Sequence, residues 1–292
     1  MRIVVTHYNP DLDAISAVFL VKKFLKGWQD CEIAFVSAGS TLNNEKVDIN
    51  NNIIHVDTGF GRFDHHNTDG DTCAAKLVWE FIKSQVSDSK SESQISNINY
   101  RDLQTIEALD RLIEVVNEID HFQEVYWPLP DKDYYDFGLE RIIDGWKILY
   151  PDQNLRFLEW GQDCLEGVIQ TFKNKIWAEQ EIETAITFKT KWGKGIAFET
   201  VNDEVIHLSQ KKGFAIAVRK DPRKGYLRIK SLPDKKIDLS DVFEKFKKAD
   251  SGATWFLHAS KHMILNGSAK NPDMKGTILG MDHIIDILKK EV

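Results

Sequence analysis

The chain has 292 residues, 42% hydrophobic and 28% charged, with a formal net charge of −7. This is an ordinary globular composition, long enough for about two domains, and its acidic balance argues against broad nonspecific nucleic-acid binding while leaving room for a local basic patch. Cys31, Cys73 and Cys164 are far apart and lack CxxC spacing, so neither a disulfide framework nor a thiolate zinc knot is expected, only buried thiols in a reducing compartment.

In chain order, RIVVT (2–6) is a short β-branched strand, and HYNPDLD is a loop broken at Pro10. AISAVFLVKKFLKG (14–27) has helical apolar spacing with Gly27 as its stop. CEIAFVSA (31–38) and NIIHVD (52–57) are further strands. Strand, helix, strand, strand predicts βαβ units and a mostly parallel sheet flanked by helices. In such sheets ligands collect at the carboxyl ends of strands, which is where His7 and Asp57 fall.

Residues 71–85 are predicted helical, 87–97 a Ser-rich surface loop, and 101–120 an amphipathic helix ending at Asp120. Helical patterning returns over 137–186. Near 190 the pattern changes to short strands, GIAFETV, EVIHLS, FAIAVRK and YLRIKSL, with KDPRKG (220–225) as a hairpin turn and a closing helix over 276–290. The expected domains are 1–188, an α/β domain, and 189–292, a smaller α+β domain. The opening MRIVVTHYNPDLD has only three consecutive apolar residues, too few for a signal peptide, and no stretch approaches the about 18 apolar residues of a membrane span. A cytoplasmic protein without membrane partners is expected.

The chemistry concentrates in the first 66 residues: His7, Asp11 and Asp13, then Asp57, then Asp64, His65 and His66. Converging carboxylates repel unless a cation joins them, and mixed imidazole and carboxylate donors suit Mn²⁺, Fe²⁺, Co²⁺ or Zn²⁺ better than Ca²⁺. The H-x3-D-x-D spacing lets two carboxylates reach two metals. A carboxylate at Asp57 bridging them would set the about 3.5–4 Å separation suited to in-line attack on phosphorus by an activated water. His65 supplies another ligand. Asp64 is placed to orient a histidine ring, leaving His66 to bind substrate oxygen or protonate a leaving group.

HYNPDLDA and FDHH resemble the signature blocks of the DHH phosphoesterase superfamily, which includes manganese-dependent family II pyrophosphatases, RecJ exonucleases, small-oligonucleotide nucleases and cyclic-dinucleotide phosphodiesterases. The resemblance covers roughly residues 1–125. It implies a metal-dependent hydrolase with two divalent cations, Mn²⁺ foremost, with Mg²⁺, Co²⁺ or Zn²⁺ as substitutes. It implies one cation on His7, Asp11 and Asp57, and a second on Asp13, Asp57, His65 and a later aspartate. That aspartate is Asp120 in NEIDH; Asp110 competes but lies inside the amphipathic helix.

SGATWFLHASKHMILNGSAK (251–270) resembles the C-terminal block of the Myg-type (melanocyte-proliferating-gene) exonuclease family, with Ile264 and Leu265 where that family has a glycine pair. This implies substrate contact from His258, Ser260, Lys261 and Asn266, and 3′–5′ cleavage of short or single-stranded oligonucleotides. A small phosphate compound (pyrophosphate, a phosphonucleotide or a cyclic dinucleotide) is the alternative substrate, a noncatalytic metal- or nucleotide-binding module is a third reading, and a homodimer is left open. QKKGFAIAVRKDPRKGYLRIK (210–230) carries eight Lys and Arg against one acid, Asp221. It reads either as a surface for a polyanion or as cations guarding an edge strand.

Overall fold

A computed structural model of the chain describes residues 1–87, 103–268 and 270–289. The fold is α/β and divides into two compact units, Met1–Lys173 and Asn174–Val292. The division falls inside a helix, whereas the composition change places it near 188. The expected Ser-rich loop lies almost wholly outside the described residues.

In the first unit, β1 (Ile3–His7) is central in a three-stranded parallel sheet, between β2 (Glu32–Val36) and β3 (Ile53–His55). The β1–β2 crossover is α1 (Leu12–Phe24), apolar on nearly every face and almost wholly buried. Its start is fixed by Asp11, whose side chain accepts the Ala14 N–H, and it ends where Leu25 turns extended. α2 (Ala74–Ser87) and α3 (Leu103–Asp120) pack on α1, with Trp79, Ile82, Leu109 and Leu112 buried. α4 (Leu139–Leu149) and α5 (Asn154–Thr184) follow, and α5 runs through the division between the units.

The second unit is a six-stranded mixed sheet in the order β4-β5-β6-β7-β9-β8. Its strands are β4 (Ile186–Thr190), β5 (Gly193–Glu199), β6 (Ile216–Lys220), β7 (Leu227–Ser231), β8 (Phe256–Leu257) and β9 (Met263–Leu265). Strand alternation sends Ala197, Val218 and Ile229 to one face, against α7 (Ser240–Ala249) and α8 (Met281–Lys289). Ile196, Phe198 and Ala217 go to the other, against α6 (Glu204–Lys211) and Ala178 of α5.

Two expectations are corrected here. EVIHLS is not a strand but α6: Val205, Ile206, Leu208 and Ser209 are buried together on one helical face. A short β-branched run satisfies either period, and burial against the sheet decides it. The closing helix begins at Met281, not 276, because the Thr277 hydroxyl and the Ile278 N–H donate to Asp250 and hold that stretch outside the helix.

Candidate metal centre

β1 delivers His7 at its carboxyl end, and the chain then turns through Asn9 at φ 53°, a left-handed conformation that asparagine tolerates well. The Asn9 N–H donates to Asn154 Oδ1 at the first residue of α5 (2.6 Å), tying this loop to a helix 145 residues away. His7 Nδ1 lies 2.8 Å from the Tyr8 carbonyl, which can only accept, so Nδ1 carries the proton. His7 Nε2 therefore faces Asp57 Oδ2 at 3.1 Å and Asp11 Oδ2 at 3.8 Å. Lone pairs would oppose one another there unless a proton or a cation lies between them. Burial alone would lower the His7 imidazole, but Asp57 and Asp11 outweigh it and push its pKa up to about 9.

Asp57 follows β3 with φ 54° and is 2% exposed. Burial would raise its carboxyl, yet the His65 and His7 rings hold it well below the usual range. Its Oδ1 lies 3.5 Å from His65 Nε2 and 3.6 Å from His66 Nδ1. His65 Nε2 also lies 3.4 Å from Asp120 Oδ2 and 3.8 Å from Asp13 Oδ2. Asp13, inside the first turn of α1, accepts the Ala74 and Ala75 N–H groups at the start of α2 (2.7 and 2.8 Å). Burial and the charges of Asp57, Asp120 and Asp11 hold its carboxyl well above the usual range. Asp120 ends α3, where the helix dipole disfavours an anion, and burial also raises its carboxyl.

These side chains form three overlapping groups: His7, Asp11, Asp57; Asp57, His65, His66; and Asp13, His65, Asp120, the donor atoms within each lying within 4.8 Å of one another. Asp57 and His65 each belong to two groups. Asp57 Oδ1, His65 Nε2 and Asp120 Oδ2 are buried and make no hydrogen bond among the described residues. Unpaired buried donors and acceptors cost about 1–3 kcal/mol each, more when charged. A divalent cation is the partner that satisfies a facing imidazole nitrogen and several carboxylates together, so the donor set fits metal. Asp110 stands apart, accepting the Trp79 indole N–H (2.7 Å) and pairing with Lys83.

Asp64 is bound to His66, not His65. Its Oδ1 accepts from the His66 backbone N–H and lies 2.8 Å from His66 Nδ1, while Oδ2 accepts the Phe60 N–H at 2.6 Å. With Nδ1 so held, the His66 side chain, 55% exposed, has Nε2 free for a proton transfer. Two neighbours carried no sequence signal: Asn154 holds the first loop, and Asn117 is buried with its Nδ2 donating to Asp71. His121, beside Asp120 in the sequence, bonds the Asn117 carbonyl through Nδ1. Each works through chain-distant or backbone contacts that no motif records.

The expected substrate contacts of the second unit are largely engaged within the chain, although Asn266 Nδ2, buried, has no hydrogen-bond partner among the described residues. Asn266 is fully buried beneath the β7–β9 pair, with Oδ1 accepting the Leu227 N–H, so it is corrected to a core residue rather than a substrate contact. The Lys261 ammonium is paired with Asp238 (2.7 Å). His258 Nδ1 accepts the Ser260 N–H at 3.1 Å and lies 2.8 Å from its hydroxyl, so these two form an exposed turn. In the basic hairpin, Asp203 accepts from both Arg219 (Nε, 2.9 Å) and Arg228 (2.7 Å), which face each other across β6 and β7. Arg223 is bound by Asp221 and Lys220 by the Leu279 carbonyl.

No protein-family model and no curated protein matches the sequence. Among solved structures the chain is similar to an uncharacterized protein from Helicobacter pylori G27, at 13% identity over 100% of both chains. The TM-score is 0.28, too low to carry an argument. Among the described residues no helix is long and apolar enough to cross a membrane.

Proposed function

We propose that the chain is a metal-dependent phosphoesterase hydrolysing phosphodiester bonds through a pair of divalent cations, Mn²⁺ foremost. The observation that carries this reading is the convergence of Asp57 Oδ1, His65 Nε2 and Asp120 Oδ2, all buried and without hydrogen-bond partners. His7, Asp11 and Asp57 would hold one cation; Asp13, His65 and Asp120, with Asp57 shared, would hold the second. Cations so held supply positive charge for phosphoryl oxygens and acidify water. His66 Nε2 protonates the leaving oxygen, and Asp64 fixes the tautomer and direction of that ring. The Asp13 carboxylate is oriented by the α2 N-terminus before any substrate arrives, a preorganisation that costs nothing during reaction.

The exposed rings of Tyr8 and Phe60, beside His7 and near Asp64 in the chain, support a substrate with bases to stack, and so trimming of short single-stranded oligonucleotides, with the 3′–5′ direction taken from the resemblance to the Myg-type family. The internal pairing of Arg219, Arg223 and Arg228 favours instead a small phosphate compound, since it takes the three guanidinium groups best suited to bidentate phosphate contact and leaves only lysines along the hairpin for a long strand. Hydrolysis with added Mn²⁺ of pyrophosphate, cyclic dinucleotides, a dinucleotide and end-labelled single-stranded RNA and DNA separates these. Laddered loss from the 3′ end, abolished by chelator, is expected. Turnover of a small phosphate alone selects the second substrate class, and metal uptake with no turnover on any substrate overturns the enzyme assignment.

A further inference from the structure

A second cavity in the first unit, of about 760 Å³, is walled by Trp127, Tyr134, Tyr135 and Phe137 on one side and by α3, α4 and α5 on the other. Leu12 and Ile119, which neighbour Asp11 and Asp120 in the chain, also line it, but none of the metal-centre donors does. The volume is that of a small-molecule site.

Its aromatic wall is fixed in advance. The Trp127 indole donates to Glu118 Oε2 at 3.1 Å, and the Tyr135 hydroxyl donates to the Pro128 carbonyl at 2.9 Å. The rings pack on one another, Trp127 to Tyr135 at 5.4 Å and Tyr134 to Tyr135 at 4.5 Å between centroids. With polar edges engaged, the ring faces remain for a ligand. Val125, Tyr134 and Phe137 are 53, 57 and 83% exposed, an apolar rim open to solvent.

The charge of the lining is predominantly negative. Glu124, Asp131, Asp136 and Glu140 stand among its described residues against a single guanidinium, Arg141. Arg141 is committed to Asp136 and Asp144 and lies 3.8 Å from Glu140, so Glu124 and Asp131 are the lining carboxylates without an ion pair among the described residues. Glu124 Oε2 is buried without a hydrogen-bond partner, and burial together with Asp144 and Glu124 pushes the Glu140 carboxyl up. Ring faces carry negative quadrupole charge, so aromatic walls and surplus carboxylates attract the same ligand.

We propose that this cavity binds a small organic cation with an apolar body, its charge set between the Trp127 and Tyr134–Tyr135 rings and the Glu124 carboxylate. The inference is independent of the phosphoesterase reading. Titration of the full chain with benzyltrimethylammonium, benzyl alcohol and benzoate, followed by Trp fluorescence and by calorimetry, tests it. Saturable binding of the cation is expected, at least tenfold tighter than the alcohol, with no binding of benzoate. Glu124→Gln should weaken the cation at least tenfold and leave the alcohol unchanged. Trp127→Leu should weaken the cation while Mn²⁺ uptake stays at the wild-type level. Equal affinity for cation and alcohol, binding unaffected by Glu124→Gln, or no binding of the cation would each overturn the proposal.

Discussion

The cluster around Asp57 and the hairpin around Asp203 are both dense in charge, yet they treat it in opposite ways. At Asp203 one carboxylate takes both facing arginines, the neighbouring Arg223 and Lys220 have partners of their own, and a single buried atom, Arg228 Nε, is left without a hydrogen bond. At Asp57 four carboxylates and three histidines come together, and three of their buried atoms are left without a hydrogen bond. A charge cluster whose members are mostly paired within the chain acts as structure. A cluster with several buried atoms left over is incomplete without a ligand, and its free energy is recovered only on binding. Charge density in the sequence does not separate the two cases; hydrogen-bond satisfaction in the fold does.

The contrast is sharpened first at His66, whose Nε2 has no structural duty. His66→Gln should lower turnover by about 10²-fold or more, the usual worth of a general acid, while thermal stability stays within error. A fall in stability matching the fall in rate would make His66 a structural residue instead. Asp203→Asn tests the other region. It leaves the Arg219 guanidinium, 9% exposed, short of its acceptor beside Arg228. Because Asp203 is half exposed, water screens the loss, and a cost of about 1–2 kcal/mol is expected by denaturant unfolding, with Mn²⁺ uptake unchanged.

Asp120→Asn should act in the reverse direction in protein freed of metal. Burial raises this carboxyl, so its charge opposes folding at neutral pH, and the neutral amide should raise the melting temperature by roughly 2–4 °C while weakening cation binding. A lower melting temperature would show that the carboxylate is needed for structure. The smallest effect concerns Asp250. Burial raises its carboxyl, but hydrogen bonds from Thr277, Ile278, Ala253 and Gly252 outweigh that and hold it low. A depressed carboxyl contributes stability above its unfolded pKa and loses it as pH falls through the folded value. Stability of the second unit should therefore drop below about pH 4, and Asp250→Asn should flatten that limb by about 1 kcal/mol.

Most residues that converge at the candidate metal centre were legible because they stand at or just past a strand end, a helix start or a helix end, places that one-dimensional patterns mark, while His65 and His66 lie in the β3–α2 loop and were legible only as a motif. Asp120 is an example of such a helix end, and Asp110, turned to Trp79 and Lys83, shows the same logic excluding its rival. The second unit was less legible. EVIHLS satisfies helix and strand periods alike until the sheet beneath it is known. Asn266 sits in a motif-like run but is consumed by a backbone N–H of β7. The aromatic cavity was not visible at all, since residues 122–138 hold only two short 3-10 turns, Gln123–Tyr126 and Tyr135–Phe137, without apolar periodicity, and their partners come from separate helices.

The central claim, that the Asp57 cluster is a two-cation centre, is tested most directly by counting Mn²⁺ bound per chain at equilibrium in wild type and Asp57→Ala. Two ions per wild-type chain, and at most one weakly held ion in the variant at unchanged folding, is the predicted result. No saturable binding in the wild type, or equal binding in the variant, would contradict it.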